Sequence, residues 1–569
     1  ITPNVILLME ALLKDLNSRQ REAVLATEGP VLILAGPGSG KTAAITRRIA
    51  YLMARGVAPE HILAVTFTNK AADEMRSRIS ALACNLQPTT YNLLFIGTFH
   101  ALCVRILRAH ASKIGYLPTF TIFDEDDSLT LMKDVQKEMD INPKQFAPGM
   151  LLNVISGLKN ELTAPEKYEE DMGLSDLFPR TAYQAYVRYQ ERLREANAMD
   201  FDDLLMNTVR LFEKYAEIVA LYQDRFRYIH VDEWQDTNHA QYVLISQLAK
   251  KYRNIAVVGD DSQSIYGFRG ADYRNILNFE KDWPEAKVVV LDQNYRSTQN
   301  ILDAARGVIS RNRQQKEKHL WTERDGGERL RVIAVENERT EAGFVTDTIG
   351  DLLRDGFRRK DLVVLYRTNA QSRALEDALL ERNIPYKIVG GVRFYQRKEV
   401  KDVLGYVRYV LNSKDLVSLK RIINVPTRGI GKQSLLAYLY STKFSTKAAN
   451  TALERFDRLI ASLKDTVYKK QATAFIREIL RITRYREYLD DGSTNAEERW
   501  ENVQELVSLA KRYDDLPPPG GLEKMIEDVA LMSDQDEIQS ENDVVHLMTL
   551  HAAKGLEFPV VFMVGLEEG

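Results

Sequence analysis

Cysteine is scarce: of 569 residues only two are Cys, at 84 and 103. That excludes a disulfide-stapled scaffold and points to a reducing, cytoplasmic location. The eight histidines are scattered, and no His/Cys group has metal-ligand spacing. Long apolar runs are missing too. No stretch reaches eighteen apolar residues, so a membrane span is not expected. The mildly apolar start, residues 1–16, carries Glu10, Lys14 and Asp15 and no small-residue cleavage site, unlike a secretory signal. Neither sign of charge dominates, with Lys plus Arg at 77, Asp plus Glu at 80 and a net charge of −3. That balance neither requires nor excludes nucleic acid, because a basic groove can sit in a neutral protein. What is present is ordinary globular composition, 45% hydrophobic and 28% charged, which excludes a disordered or collagen-like chain. The length suggests about four domains. There is no internal repeat or low-complexity tract. The chain begins with Ile and stops just after a strand-like run, and is expected to be part of something longer.

Short apolar runs punctuated by Gly, Asp and Thr predict buried strands at 31–35, 62–67, 94–96, 228–232, 255–259 and 287–291. Helical patterns separate them, which argues for a parallel sheet covered on both faces. Between His100 and Tyr228 the periodicity is helical with no convincing strand, too long for a loop, and predicts a folded insertion. A second set of runs, at 330–334, 362–365, 386–389, 544–550 and 560–564, predicts another α/β layer, interrupted by helical sequence from about 392 to 540. Polar stretches at 324–328 and 514–521 read as loops. The expectation is an α/β protein with two parallel-sheet cores, each carrying a mainly helical insertion. The first core would occupy 1–109 and 199–288, around an insertion at 110–198. The second would occupy 289–392 and 541–569, around an insertion at 393–540.

The first run leads directly into Gly36-Pro37-Gly38-Ser39-Gly40-Lys41-Thr42, followed by helical sequence starting at Ala43. This is a P-loop in its required context of strand, glycine-rich turn and helix. The backbone from Gly38 to Ala43 can wrap phosphates, helped by the helix N-terminus. Lys41 suits the β- and γ-phosphates, and the Thr42 hydroxyl suits Mg²⁺. A glycine-rich turn that merely packs is the plain alternative. The run ending in Asp232-Glu233 supplies the acids a P-loop needs, Asp232 for Mg²⁺ and Glu233 for polarising the attacking water. Two adjacent acids after a strand can also simply cap the next helix. Together the two elements predict an NTPase using ATP and Mg²⁺.

At Asp232-Glu233-Trp234-Gln235-Asp236 the chain resembles a superfamily 1A DNA helicase of the UvrD/PcrA/Rep family, and further ordered blocks extend the likeness. Residues 16–20 resemble the Q motif, 64–72 motif Ia, 97–100 motif Ib, 259–271 motif III, 293–297 motif IV and 549–557 motif V. Asp200-Phe201-Asp202-Asp203-Leu204 resembles a family signature at the return from the first insertion. The resemblance implies two RecA-like cores with ATP between them. Gln20 would read the adenine edge and Tyr295 stack on its face. Glu557 would contact the ribose, Gln263 sense the γ-phosphate, and Arg296 act as an arginine finger. Each role suits its residue type.

A strand-binding surface needs aromatic platforms and backbone donors. Phe67, Phe99, Tyr266 and Phe268 follow strands of the first core, where ligands of α/β sheets bind. Phe99 is as readily core as platform. Asn69, His100 and Arg269 belong to the same blocks, and Arg367, Asn369, Arg373 and His551 are their counterparts in the second core. Arg428-Gly429-Ile430-Gly431 resembles the family's duplex-contacting element, since glycine amides before a helix can meet a phosphate; a plain helix–helix turn is the alternative. Phe268 stands where relatives often carry Trp, and Gly267 where PcrA-like relatives carry Arg. Motif VI, with a second γ-phosphate arginine, would follow Gly569. The stretch as written is therefore expected to bind DNA and nucleotide but to hydrolyse ATP poorly.

The resemblance implies a 3′-to-5′ ATP-dependent helicase in DNA repair or replication. Its partners would be single-stranded DNA and single-strand/duplex junctions, with repair proteins and self-association also open, and no membrane. A translocase that strips proteins from single strands would use the same engine, as would the helicase subunit of a helicase–nuclease. A small-molecule P-loop kinase would lack motifs Ia, III and V. A non-catalytic scaffold would not need Lys41, Asp232, Glu233 and Arg296.

Overall fold

In the computed structural model the described residues are 3–82, 93–172, 176–312, 315–316, 318–389, 394–439, 447–491, 493, 495–532 and 543–567. The chain divides into two compact units. One comprises Ile1–Phe99, Ala216–Arg393 and Met532–Gly569, and the other His100–Tyr215 and Phe394–Leu531. The first unit thus holds both α/β cores and the second holds the helical insertions. Cys84 and the boundaries expected at 392/393 and 540/541 lie outside the described residues.

The strands are β1 (Val31–Ala35), β2 (Ile62–Thr66), β3 (Phe95–Thr98), β4 (Thr121–Phe123), β5 (Ala198–Asp200), β6 (Tyr228–Val231), β7 (Asn254–Gly259), β8 (Lys287–Leu291), β9 (Leu362–Tyr366), β10 (Tyr386–Val389), β11 (Val545–Thr549) and β12 (Val560–Met563). Six of them form the first core's sheet in the order β3-β2-β6-β7-β1-β8, and four form the second core's in the order β10-β11-β9-β12. All pairings are parallel. Helices cover both faces of the first sheet, so β1 and β2 are buried along their whole length. That is why their sequences read as unbroken apolar runs rather than alternating ones. The order places β1 beside β7, with β6 next, so the P-loop, the acid pair and motif III all leave the same sheet edge. Ligands of such sheets bind at those C-terminal strand ends.

Three features differ from the sequence expectations. β8 straddles the boundary expected at 288/289, because its register is fixed against β1 of the first sheet, Val31 opposite Lys287 through Ala35 opposite Leu291. The run at 330–334 forms no strand and pairs with none among the described residues; Val332 is 98% exposed, and a segment whose backbone hydrogen bonds no described strand completes is irregular here. The first insertion does contain strands, the short parallel pair β4–β5. At three residues each, they carry too little periodicity to be told from the flanking helices.

Candidate ATP site and strand-binding surface

β1 runs into a loop whose Gly38 and Gly40 have φ of +67° and +84°, left-handed values that favour glycine, and the helix Lys41–Ala54 follows. A Cβ at Gly38 would also collide with the Arg296 Cβ and the Asn294 side chain, at 2.6 and 2.7 Å. Ser39 is buried, its hydroxyl donating to the Gly36 carbonyl at 2.7 Å. The Lys41 ammonium is buried without a hydrogen-bond partner among the described residues, its nearest carboxylate being Glu233 at 3.5 Å. Burial alone would lower its pKa, but Glu233, Asp260 and Asp232 together raise it. Lys41 is therefore a fixed, desolvated cation waiting for an anion.

Gln20 lies beside the loop. It closes the capping box of the helix Ser18–Leu25 with Asn17 and donates through Nε2 to the Ser39 carbonyl at 3.0 Å. Asn17 in turn donates to the Tyr295 hydroxyl at 2.9 Å and to Gln293 at 3.2 Å. The Tyr295 amide donates to the Gly38 carbonyl, and Asn294 donates to the Pro37 carbonyl at 2.6 Å. Gln20, Tyr295 and the P-loop are thus brought to one place by the segment after β8. Arg296 pairs with Glu557 at 2.5 Å, both partly exposed.

The acid pair follows β6. Burial, and then the neighbouring Glu233 charge, push the Asp232 carboxyl up to about 7, against the opposing pull of Lys41. Burial acts in the same sense on Glu233, but Lys41 and Lys554 outweigh it and hold that carboxyl below its ordinary value. Two adjacent carboxylates are thereby pushed apart in acidity, as acid–base work requires. Glu233 has φ of +54°, a left-handed backbone uncommon for a residue with a Cβ. It is held by Gln235, whose Nε2 donates to Glu233 Oε2 at 2.6 Å while its Oε1 accepts from the Asp260 amide at 2.9 Å. Gly259 gives Gln235 room, since a Cβ there would stand 2.5 Å from Oε1. Gln263 donates to Asp260 at 2.7 Å. The donor set suits Mg²⁺: Thr42 and Asp232 offer hard oxygens, and a phosphate on the orphaned Lys41 would supply the others.

On the strand-binding side, Phe268 is 69% exposed. It meets His551 edge-to-face at 5.2 Å and stands 6.2 Å from the half-buried Tyr266. The Tyr266 hydroxyl donates to the His551 carbonyl at 3.2 Å, and the Arg367 guanidinium lies 3.2 Å from the His551 ring nitrogens. Arg367, Asn369 and Arg373 are exposed just after β9. Phe67 and Asn69 are half-buried beyond β2.

Three predicted residues are placed differently from the rest. Phe99 is 1% exposed and packs edge-on behind Phe67 at 5.5 Å, so it backs a platform instead of being one. His100, in the insertion unit, packs against Phe201 at 5.4 Å, and burial lowers its pKa to about 4. The Arg428 guanidinium donates to the carbonyls of Ile422, Ile423 and Val425, so it shapes the loop it was expected to charge. The adjacent Gly429 (φ +74°) and Gly431 are exposed while Ile430 between them is buried. The Arg269 side chain lies outside the described residues.

Sequence reasoning gave no role to Lys554, although it lies in the motif V block. Its ammonium meets Asp236 Oδ2, donates to the Gln263 carbonyl at 2.7 Å and sits 5.0 Å from the Tyr266 ring centre. Asn17, Gln235 and Asn294 were likewise inside quoted blocks without a role. Lys318 belongs to no block at all.

The UvrD/REP helicase N-terminal domain family matches residues 16–284, and the UvrD-like helicase C-terminal domain family matches residues 289–569. The chain belongs to the UvrD/REP helicase family. It is 45% identical to the ATP-dependent DNA helicase PcrA of Staphylococcus epidermidis over 581 residues, covering 98% of this chain and 79% of the relative. It is 46% identical to PcrA of Bacillus subtilis over 584 residues, and 45% identical to that of Staphylococcus aureus over 580, covering 98% of this chain and 78% of either relative. Membership of the UvrD/REP family agrees with two parallel α/β cores behind one P-loop. No described helix is long and apolar enough to cross a membrane.

Proposed function

We propose that the protein is an ATP-dependent DNA helicase that moves 3′ to 5′ along single-stranded DNA and opens duplex at junctions. The observation that carries this reading is the turn after β11. There Lys554 reaches Asp236 and Gln263 beside the acid pair, while His551, three residues earlier, lies against Tyr266 and Phe268. One turn of the second core thus touches both the hydrolytic groups and the aromatic face, so a change at either is felt at the other. The polarity is the one the family resemblance implies.

In this reading Lys41 and the P-loop amides hold the phosphates, and Thr42 and Asp232 hold Mg²⁺, which when bound neutralises charge on the β- and γ-phosphates. Glu233 takes the proton of the attacking water, Gln263 registers the γ-phosphate, and Arg296 leaves Glu557 to meet the charge of the transition state. Phe67, Tyr266 and Phe268 stack bases, while Arg367, Asn369 and Arg373 hold the backbone. The amides of Gly429 and Gly431 meet duplex phosphates. Work on DNA in repair or replication, in the cytoplasm, fits this engine.

The test is strand displacement by the full-length protein on duplexes with a single 3′ or 5′ tail. ATP-dependent opening of the 3′-tailed duplex alone is expected. Opening from the 5′ tail alone would overturn the polarity. Movement on single strands with no opening of either duplex would leave a translocase in place of a helicase.

A further inference from the structure

Outside the motifs, one buried cation lies close to the hydrolytic groups. Lys318, on the connection between β8 and the helix Glu338–Arg354, has a side chain only 7% exposed. Its ammonium is 2.5 Å from Asp260 Oδ1 and also contacts Asp261 Oδ1. The two carboxylates are adjacent and shut away from solvent, so each needs a countercharge that water does not supply. Asp260 passes the constraint on. Its Oδ2 accepts from Gln263 Nε2 at 2.7 Å, and its amide donates to Gln235, which holds Glu233.

The segment around Lys318 is stitched down on both sides. The Lys316 amide donates to Asp261 Oδ2 at 2.7 Å. Leu320 fills the space over Gly36, where a Cβ would stand 2.5 Å from it. The Trp321 amide and carbonyl bond to Asp292 and Asn294. This strap therefore runs from motif III to the P-loop and motif IV, with Lys318 as its charged anchor.

We propose that Lys318 is a positioning residue of the ATPase: it holds Asp260 as a hydrogen-bond acceptor turned toward Gln263, and so fixes Gln263 for the γ-phosphate. Lys318 itself does not touch nucleotide. The inference rests on the reading of Gln263 as γ-phosphate sensor within an ATP-driven motor. Removing such a supporting charge typically costs roughly ten- to a hundredfold in activity. The loss should fall on kcat, because the P-loop contacts that set nucleotide affinity remain.

The experiment is steady-state ATP hydrolysis by the full-length protein with saturating single-stranded DNA. It compares wild type, Lys318→Gln, Lys318→Arg, Asp260→Asn and Gln263→Ala, with Lys41→Ala as control and thermal unfolding as a check on folding. Lys318→Gln is expected to lose roughly ten- to a hundredfold in kcat with KM for ATP within about twofold, and Lys318→Arg to recover most of the loss. Asp260→Asn leaves Lys318 its pair with Asp261, so it tests the same link if Lys318→Gln fails to fold; the same kcat-only loss is expected. Wild-type kcat in Asp260→Asn or in folded Lys318→Gln would overturn the proposal, as would a loss carried by KM. If Lys41→Ala kept its DNA-stimulated turnover, the motor reading itself would fall. If Gln263→Ala alone behaved as wild type, the sensor reading would fall and the proposal with it.

Discussion

Lys159 and Lys41 are both buried among carboxylates, and they are built differently. Lys159, in the insertion unit, is fully buried and lies 2.6 Å from Asp200 and 2.9 Å from Asp203, with the Tyr189 hydroxyl also donating to Asp200. Lys41 stands 3.5 Å from Glu233 and has no hydrogen-bond partner among the described residues. Burial would lower both pKa values, yet the surrounding carboxylates raise both. What separates them is satisfaction. Lys159 has spent its donors on the fold, while Lys41 keeps donors for a ligand. A buried cation whose bonds are complete is a structural part, and one whose bonds are missing marks a site.

The comparison breaks if the two lysines respond alike to removal. Lys41→Ala is expected to lose ATP turnover by about a thousandfold or more, with a smaller loss of stability than at Lys159, because its ion pair with Glu233, at 3.5 Å, is looser than the 2.6 and 2.9 Å pairs of Lys159. Lys159→Met is expected to destabilise by about 3–5 kcal/mol, since Asp200 and Asp203 stay buried without a cation. Nucleotide affinity in that variant should stay within about twofold, the two lysines sharing no partner. Urea unfolding and nucleotide titration on both variants check this. Lys554→Ala sharpens the comparison from the other core. It strips the countercharge from Asp236 and should cost roughly ten- to a hundredfold in DNA-stimulated turnover, with basal turnover less affected, as hydrolysis rates with and without DNA would show.

Much of the first core was legible because both sheet faces are buried, so β1, β2 and β7 stand out as continuous apolar runs. The run at 330–334 is also rich in Leu, Val and Ile, though broken by Arg331, but it pairs with no strand among the described residues, and pairing is not a local property. β4 and β5 are too short to interrupt helical periodicity. In the site, Lys41, Asp232 and Glu233 were legible because their chemistry demands fixed spacing along the chain. Lys318 was silent because its partners Asp260 and Asp261 meet it only through the fold. Arg428 was misleading for a related reason: charge in a loop reads as available for phosphate until the carbonyls of Ile422, Ile423 and Val425 are seen to occupy it.

A smaller effect is expected at the strand-binding face. Phe268→Ala should weaken single-stranded DNA binding by roughly 1–3 kcal/mol, the worth of one stacked base, in a fluorescence titration at fixed salt. The gentlest expectation concerns a slope. Burial, and then the nearby Asp200 charge, raise the Asp203 carboxyl from 3.8 to about 7, against the pull of Lys159. Between those values the folded protein binds more protons than the unfolded one, so stability should fall as pH rises from about 4 to about 7 and then level off. Asp203→Asn should flatten that decline in urea midpoints measured across the range, and a midpoint that rises with pH there would contradict it.

The most direct test of the account is ATP hydrolysis with and without single-stranded DNA, on the full-length protein and its Lys41→Ala variant. Strong stimulation by DNA that disappears in the variant is the predicted result. Turnover indifferent to DNA, or stimulation that survives without Lys41, would contradict the claim that this unsatisfied lysine marks the centre of a DNA-driven motor.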